Sequence, residues 1–330
     1  MAKYDLSAEI SDLHIDPAII IASGIYCFPP SLEAVSEYLG ALVTKSIGRY
    51  PRQGNEPPVF SEDINAMGLP NPGCHAFAKE LRSVYPLEKP LIISIFGNSE
   101  DEVAYVASKM SQFCDALELN ISCPNIKEGE KTGVIVGRDP KLTYSYTKAA
   151  REASAMPLIV KLSPAPHIFD RDSLFLEIVD AAVEAGASAF SAINTVPGAM
   201  RINVDAGRSV LSAKYGGLSG PSIKPHGIGC IYTIYEHLKK KNLETEIPII
   251  GIGGIGLDNP DDALEYIMAG ASAVAFGTAA KNRRTENLKK YLRKWRTRLE
   301  ERIDECRDGW EAKSQKSIRG LKDIRGLAHD

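Results

Sequence analysis

The segment Ala116-Leu-Glu-Leu-Asn-Ile-Ser-Cys-Pro-Asn125 contains the pattern that decides the fold: a short, mostly apolar run, followed at once by polar and loop-forming residues. Such runs are typical of strands buried on both faces of a parallel sheet. Further runs of this kind recur along the chain, each followed by a longer stretch with helical spacing of its apolar residues. The predicted strands are Ala18–Ser23, Ala41–Lys45, Leu91–Ile95, Ala116–Asn120, Leu158–Leu162, Ala189–Asn194, Pro248–Gly251 and Ala273–Phe276.

Helical patterns separate these runs, so strands and helices alternate along nearly the whole chain. Alternation of this length favours a closed, parallel (β/α)8 barrel, the TIM-barrel fold, over an open Rossmann sheet. We therefore predict an α/β protein with one barrel domain that spans residues 1–330. The predicted helices include Glu100–Gln112, Pro140–Ala153, Leu174–Ala185, Ile223–Leu238 and Asp261–Ala269.

Three of the predicted strand-to-helix segments are unusually long: Ser46–Pro72, Ser122–Asp139 and Thr195–Pro221. In a barrel these loops lie on the C-terminal face, where active sites form. Their Gly, Pro and Asn content is also typical of surface linkers, but long structureless loops in a compact domain are usually functional. We expect the three to converge on one active-site mouth.

The segment Asn287–Trp310 has apolar residues at intervals of three and four, with Lys, Arg and Glu on its other faces. We predict one long amphipathic helix at about residues 287–310. Its apolar stripe is explained most simply as a cover for the outside of the barrel, and a subunit contact is the alternative.

The composition is that of an ordinary globular protein, with 44% hydrophobic and 25% charged residues. A net charge of -3 provides no strong field for nucleic acid or for an anionic membrane. The first residues, MAKYDLSAEISDLHID, are acidic and polar, unlike a signal peptide. No run approaches the roughly 20 apolar residues of a membrane-spanning helix. We expect a soluble, cytoplasmic enzyme that acts on a small molecule.

The six cysteines show no C-x-x-C pair or other metal-ligand spacing. This argues for reduced thiols and against an internal iron–sulfur cluster or structural zinc, so we expect no metal. A lone cysteine is usually a small buried hydrophobe. We interpret five of them in this way: Cys27, Cys74, Cys114, Cys230 and Cys306.

The sixth, Cys123, lies in the motif Asn120-Ile-Ser-Cys-Pro-Asn125, where a predicted strand ends and catalytic side chains of a barrel belong. The asparagines offer paired donors and acceptors for an amide-rich heterocycle, and a thiol that ionises can act as a base. Lys45 and Lys161 also end predicted strands, where an inward-facing lysine is costly to bury unless it meets negative charge.

Glycine-rich turns follow the last two predicted strands, at Gly251–Gly254 and Gly277-Thr278, with Gly220 in the preceding loop. In a barrel this is the usual phosphate site, where backbone N–H groups and a helix N-terminus bind the anion. By themselves, these turns indicate only a phosphate-binding barrel, a description that fits many non-redox enzymes.

Taken together, the motifs closely resemble those of the dihydroorotate dehydrogenases, and the resemblance runs nearly from end to end. Any one motif is weak alone, whereas their joint order at successive strand ends is highly specific. Besides 120–125, the matching segments are 20–24 (IIASG), 40–46 (GALVTKS), 65–71 (NAMGLPN), 160–163 (VKLS), 193–195 (INT), 216–221 (GGLSGP), 251–254 (GIGG), 276–278 (FGT) and 324–329 (IRGLAH).

The resemblance implies an FMN enzyme of pyrimidine biosynthesis that oxidises dihydroorotate to orotate. A proton leaves C5 of the substrate, and a hydride leaves C6 for N5 of FMN. The resemblance implies that Cys123 is the base, that Ser122 tunes or relays its proton, and that Lys161 stabilises charge near N1 of the flavin. The loop Ser122–Asp139 would close over the site and exclude water.

The resemblance also implies the binding residues. Neutral asparagine amides suit a substrate that is itself largely amide, and main-chain N–H groups suit its carboxylate. The implied substrate contacts are Lys45, Asn65, Met67, Gly68, Leu69, Asn120, Asn125, Asn194 and Thr195. The implied FMN contacts are Ala22, Ser23, Gly24, Lys45, Ser46, Asn120, Lys161, Ile193, Gly220, Gly253, Gly254, Gly277 and Thr278.

Residues 193–195, 216–221 and the terminal GLAH resemble the NAD-linked, two-subunit class, whose partner carries FAD and a [2Fe–2S] cluster. Residues 65–71, however, also resemble the fumarate-using homodimers. The loop after Lys45 is shorter than is usual in the NAD-linked class, and the helix around Leu288–Trp310 is longer. The final electron acceptor, the need for a partner subunit and the oligomeric state, with a homodimer core common in the family, therefore stay open.

Three alternatives remain. They are an FMN barrel like that of dihydropyrimidine dehydrogenase, whose substrate lacks a carboxylate; a phosphate-binding barrel without redox chemistry; and a non-catalytic binding barrel. Asn125 and residues 65–69 resemble the dihydroorotate dehydrogenases more than the dihydropyrimidine dehydrogenase barrel. Turnover of dihydrouracil would support the dihydropyrimidine dehydrogenase-like barrel. A protein that contains no FMN would support the barrel without redox chemistry, and a Cys123→Ala variant without any defect would support the non-catalytic barrel.

Overall fold

The computed structural model describes residues 3–25, 34–125, 129, 131–165, 174–281 and 285–329. Cys27 and part of the loop Ser122–Asp139 lie outside these residues. One 8-stranded sheet forms the centre of the described fold. Its strands are β1 (Ile19–Ile21), β2 (Leu42–Val43), β3 (Leu91–Ile95), β4 (Ala116–Asn120), β5 (Leu158–Lys161), β6 (Ala189–Ala192), β7 (Ile249–Ile252) and β8 (Ala273–Phe276).

The sheet closes on itself. Its order is β1-β8-β7-β6-β5-β4-β3-β2, and all neighbouring strands are parallel. A parallel bridge joins Ile20 to Ala41, and the Gly40 N–H donates to the Ile19 carbonyl at 2.9 Å, so the two edges meet. A Cβ at residue 40 would lie 2.0 Å from the Pro17 carbonyl oxygen, so only glycine allows this approach. The predicted (β/α)8 barrel is confirmed.

Within the described residues, a helix follows each strand from β2 onward. Local capping explains where two of them begin: the Ser99 side chain accepts the Glu102 N–H at 3.2 Å, and Asp139 caps the helix that starts at Pro140. The helices are α1 (Cys74–Leu81), α2 (Glu100–Met110), α3 (Pro140–Ala153), α4 (Leu174–Glu184), α5 (Lys224–Lys240), α6 (Asp261–Met268), α7 (Thr285–Ser314) and the short α8 (Leu321–Ile324).

The long helix α7 packs an apolar stripe against the outside of the barrel. Leu288, Leu292, Trp295, Leu299 and Ile303 are each at most 2% exposed. The Trp295 ring meets a phenylalanine of β8 edge-on, with 5.3 Å between the ring centroids. These side chains are part of the main hydrophobic core. Burying one leucine of this stripe contributes roughly 1.5–3 kcal/mol to the stability of the fold.

Two of the long loops contain secondary structure of their own. A 4-stranded antiparallel sheet, called the inserted sheet below, combines Phe60–Ser61 and Ile64–Asn65 from one loop with Val196–Ala199 and Gly216–Leu218 from the other. The expectation of structureless segments at Ser46–Pro72 and Thr195–Pro221 is therefore wrong in this respect. The strands are only two to four residues long, and the sheet depends on pairing Ile64–Asn65 with the distant Gly217 and Leu218, so the local sequence pattern does not reveal it.

The remaining elements are small. Two antiparallel hairpins pair Ala8–Ile10 with Leu13–Ile15, and Ile202–Asn203 with Arg208–Ser209. Short 3-10 helices occur at Ser36–Tyr38, Ser111–Phe113, Gly133–Arg138, Pro221–Ile223 and Leu327–His329. Among the helices of the described ranges, none combines the length and the apolar character that crossing a membrane requires.

Candidate active site

A cavity of about 480 Å³ opens at the carboxyl ends of the barrel strands. This volume is within the range of roughly 300–1,000 Å³ that is typical of small-molecule and cofactor sites. All predicted site residues except Ser122 line it. They are Ala22, Ser23, Gly24, Lys45, Ser46, Asn65, Met67, Gly68, Leu69, Asn120, Cys123, Asn125, Lys161, Ile193, Asn194, Thr195, Gly220, Gly253, Gly254, Gly277 and Thr278.

Sequence reasoning missed several lining residues. Some lie directly beside predicted ones, and proximity in the chain could have identified them. Others, chiefly Phe60 from the inserted sheet and Lys281 from the turn after β8, are brought in by the tertiary fold. The missed lining residues are Ile25, Phe60, Pro124, Ser219, Ile223, Ile252, Ala280, Lys281 and Thr285.

Cys123 lies three residues beyond the end of β4 and is 8% exposed. Its side chain packs with those of Leu69 and Phe96. Burial raises the pKa of the Cys123 thiol above its ordinary value of about 8.5, while the Asn125 backbone N–H and the Lys45 cation act in the opposite direction on this pKa. At neutral pH, the thiol of the ligand-free protein is therefore protonated.

Ser122 is 1% exposed and connects two asparagines of the site. Its hydroxyl donates to Asn120 Oδ1 at 3.0 Å and accepts from Asn194 Nδ2 at 2.9 Å. Asn120 Nδ2 in turn donates to the Ser46 hydroxyl at 2.9 Å. This chain of bonds fixes which end of each amide is the oxygen, so Ser122 orients the asparagines on either side of it.

Asn125 and Asn65 join the loop after β4 to the inserted sheet. Asn125 Nδ2 donates to the Asn65 carbonyl at 3.1 Å, and Asn65 Nδ2 donates to the Gly217 carbonyl at 3.5 Å. A Cβ at residue 217 would lie 2.0 Å from Thr195 Oγ1 of the same loop, so glycine is required beside Asn65. The inserted sheet thus places Asn65 and Thr195 at the mouth of the cavity.

The Met67–Leu69 backbone is held in an unusual conformation. Gly68 and Leu69 both have positive φ, at 73° and 55°. The Arg52 side chain donates to the Gly68 carbonyl at 2.7 Å, and Asn55 donates to the carbonyl of the residue before Met67 at 2.9 Å. Because these carbonyls are already bonded, the backbone at this edge of the cavity is fixed before any ligand binds.

Lys161 lies in the cavity floor and is paired with a buried carboxylate that sequence reasoning missed. The Lys161 Nζ lies 3.5 Å from Glu118 Oε1, and both side chains are almost fully buried. The hydroxyl of Ser191 donates to Glu118 Oε2 at 2.9 Å. Glu118 precedes Asn120 by two residues on β4, so the period of two along a strand could have placed both on the inner face.

The opposite end of the cavity is formed by glycines. Gly253, Gly254 and Gly220 have positive φ, at 132°, 70° and 78°. A Cβ at residue 254 would lie 2.9 Å from the Gly220 carbonyl oxygen, so a side chain there would fill this turn. Thr278 donates to the Ser219 hydroxyl at 2.9 Å and links the turns. Exposed backbone of this kind suits a phosphate group.

Lys281 adds positive charge at the glycine end. Its Nζ lies 3.8 Å from the centroid of the Phe60 ring. Burial lowers the pKa of the Lys281 ammonium. No aspartate or glutamate lines the cavity among the described residues, and the nearby Lys224 is paired with Asp262 at 2.7 Å. Lys281 therefore makes the glycine end of the cavity electropositive, although the whole chain is slightly acidic.

Comparisons with known proteins agree on one family. A family profile described as dihydroorotate dehydrogenase matches residues 5–299. The chain is 41% identical over 306 residues to the dihydroorotate dehydrogenase B (NAD(+)) catalytic subunit of Thermococcus kodakarensis, with 89% of this chain and 95% of that protein covered. The protein of the same name from Geobacter sulfurreducens is 39% identical over 293 residues, with 84% and 88% covered.

A structural comparison agrees on the fold. The crystal structure of DHODH from Eimeria tenella, in complex with ferulenol, superposes with a TM-score of 0.74 and covers 98% of this chain and 89% of that chain. Its sequence identity is 22%, so this likeness concerns the barrel architecture alone.

Proposed function

The chain belongs to the dihydroorotate dehydrogenase family, as an oxidoreductase that converts dihydroorotate to orotate in pyrimidine biosynthesis, and on this premise we propose how its cavity divides the reaction. The observation that carries the proposal is the meeting, in one cavity at the strand ends, of a buried thiol, several asparagine amides and a glycine-lined turn. In this proposal the thiol accepts a proton, the amides bind the substrate, and the backbone of the glycines binds a phosphate group.

We propose FMN as the cofactor, and the residues present fit it. The glycine turns around Gly254 leave space that a Cβ would fill, which suits a phosphate group. At the other end, the buried Lys161 faces the cavity, where a cation is favourable beside an electron-rich ring. When bound, FMN supplies the hydride acceptor.

The asparagine network is proposed to bind the pyrimidine ring. Asn120 and Asn194 are held in defined orientations through Ser122, and Asn65 and Asn125 are held through each other. An orienting role for Ser122 fits its bonds better than the predicted relay of the proton, since its hydroxyl is engaged by Asn120 and Asn194 and Ser122 does not line the cavity. The Met67–Leu69 backbone is proposed to receive the carboxylate of the substrate.

Cys123 is proposed to accept the proton that leaves C5 of dihydroorotate. The thiolate is the basic form, and the nearby cations Lys45, Arg52 and Lys161 favour it. Low exposure of Cys123 keeps bulk water from competing for the proton. Asn120, three residues earlier in the chain, holds the substrate beside this thiol.

The proposed function is tested with the purified chain under anaerobic conditions. Dihydroorotate should bleach the absorbance of the bound flavin, whereas dihydrouracil, which lacks the carboxylate, should bleach it far more slowly. Equal bleaching by both compounds would support the dihydropyrimidine dehydrogenase-like alternative. A protein that binds no flavin under any condition would support the phosphate-binding barrel without redox chemistry.

The final electron acceptor is a separate proposal. Because the two relatives described above are named as catalytic subunits of NAD-linked enzymes, we propose that this chain passes its electrons to a partner subunit that carries FAD and a [2Fe–2S] cluster. The chain alone, once reduced by dihydroorotate, should then be reoxidised poorly by NAD. Rapid reoxidation by fumarate or a quinone would contradict this proposal. A homodimeric core and a cytoplasmic location remain predictions.

Replacing Lys281 by alanine should weaken FMN binding about tenfold, because the charge-assisted contact with the phosphate is lost. Riboflavin has the same ring but no phosphate, so its affinity should change less than about twofold. Kd values measured by fluorescence titration of the deflavinated protein check this result. The matched control is Lys289→Ala, since Lys289 is paired with Glu286 at 3.5 Å on α7. An equal loss of affinity for both flavins would contradict a phosphate contact.

A further inference from the structure

Three buried polar side chains form a layer inside the barrel at the floor of the cavity. Glu118 of β4, Lys161 of β5 and Ser191 of β6 are 3%, 5% and 0% exposed. Strand register brings them together, because Lys161 pairs with Asn120 on one side and with Ser191 on the other. Of the three, only Lys161 lines the cavity.

The carboxylate of this layer is held asymmetrically. Glu118 Oε2 accepts the Ser191 hydroxyl at 2.9 Å, whereas Oε1 has no hydrogen-bond donor among the described residues and faces the Lys161 Nζ at 3.5 Å. An ionised carboxylate is very costly to bury unless a cation compensates it. The position of Glu118 is therefore explained by its effect on Lys161, since no ligand in the cavity can touch it directly.

We propose that Glu118 is a positioning residue that holds the Lys161 ammonium at the cavity floor and partly neutralises it, and so sets the reduction potential of the bound FMN. This inference rests on the proposed function, because it takes FMN to be the group above Lys161. A lone buried ammonium would strongly favour the reduced, electron-rich flavin. When Lys161 is paired with Glu118, it stabilises the reduced flavin less. The reduced flavin therefore passes its electrons onward more readily.

The central test is the midpoint potential of the FMN bound to the purified protein, measured by photoreduction against a reference dye. Glu118→Gln keeps the shape of the side chain and its bond from Ser191, but it removes the negative charge. The equilibrium should then shift at least about tenfold toward reduced flavin, which is about 30 mV for a two-electron couple. A potential equal to that of the wild type would overturn the proposal.

Glu118→Asp keeps the charge and draws it back from Lys161 by one methylene group. The expected shift is in the same direction but smaller, about threefold, or roughly 14 mV on the same two-electron scale. If Glu118→Gln does not fold, the presence or absence of this smaller shift decides the question.

A double-variant cycle tests whether Glu118 acts through Lys161. In Lys161→Met, the unpaired carboxylate should take up a proton and become neutral. Adding Glu118→Gln to this background should then change the potential by less than about twofold in equilibrium constant. A full tenfold shift in the Lys161→Met background would overturn the role of the lysine.

These measurements separate the inference from the proposed function. Photoreduction requires bound FMN but neither dihydroorotate nor Cys123. A protein that binds FMN, shows the predicted shifts and fails to oxidise dihydroorotate would overturn the proposed division of the reaction and support the role of Glu118. If dihydroorotate bleaches the bound flavin but the midpoint potential does not change in the Glu118 variants, the proposed division of the reaction is supported and the role of Glu118 is overturned.

Discussion

Replacing Cys123 by serine is expected to slow the reduction of bound FMN by dihydroorotate at least about a hundredfold, as loss of a general base typically does. A hydroxyl is a far weaker acid than a thiol, so the variant has almost no ionised base near neutral pH. Stopped-flow absorbance of the flavin measures the rate in a single turnover. An unchanged rate would exclude Cys123 as the base.

The matched control is Cys114→Ser. Cys114 is also buried, at 3% exposure, but it precedes β4 and lies at the opposite end of that strand from Cys123. Both substitutions place a hydroxyl in a buried site, so they share the cost of burying a polar group. Only Cys123→Ser should affect the flavin reduction rate, while Cys114→Ser should keep it within about twofold of the wild-type rate.

The pH dependence of the same rate follows from the raised pKa of Cys123. Burial disfavours the thiolate, so the ionised fraction is small at neutral pH and grows as the pH rises toward the pKa. The wild-type rate should therefore still be rising at a pH of about 8.5, the ordinary thiol pKa, and should level off only above it. In Cys123→Ser this rise should move to higher pH. An identical profile in both proteins would contradict the assignment.

Replacing Lys161 by methionine is expected to have two large effects. It leaves Glu118 buried without its cation, so the carboxyl group must take up a proton at neutral pH, which should lower the free energy of unfolding by about 3–5 kcal/mol. It also removes the cation at the cavity floor, so flavin reduction should slow by about a hundredfold or more, the cost typical of losing one electrostatic contact to the transition state. Urea denaturation measures the first effect, and stopped-flow absorbance measures the second.

The control is the double variant Lys161→Met/Glu118→Gln. Replacing both partners of a buried pair by neutral groups is often close to neutral for stability, so much of the lost free energy of unfolding should return. The rate of flavin reduction should stay low, because the cation is still missing. If the rate recovers along with the stability, Lys161 contributes to the fold and not to the chemistry.

The barrel was predictable because its pattern is local. Strands β3, β4 and β8 have the bounds predicted from the sequence, and the other strands overlap their predicted runs. Strands buried on both faces need nearly continuous apolar residues, and that requirement is visible without knowing which strands pair. The strands Phe60–Ser61 and Ile64–Asn65 of the inserted sheet lie in no continuous apolar run, so there is no such pattern to be recognised.

The lining of the cavity was predictable for a related reason. The carboxyl ends of parallel strands meet at one face of a barrel, so residues such as Lys45, Asn120 and Asn194 had to converge once their strands were known. Ser122 was the exception. It occupies the catalytic loop, but its hydroxyl is used by Asn120 and Asn194, and only the hydrogen bonds reveal this.

Glu118 and Lys281 show where sequence reasoning ended. Glu118 stands within an apolar run, and its importance depends on Lys161 and Ser191, which belong to two other strands. Lys281 follows a glycine turn, and its place in the cavity depends on Phe60 of a distant loop. The order of apolar and polar residues along the chain determined the strands and the ends at which the site lies. Only the tertiary structure decided which charges meet there, because pairing and burial join residues that the sequence keeps far apart.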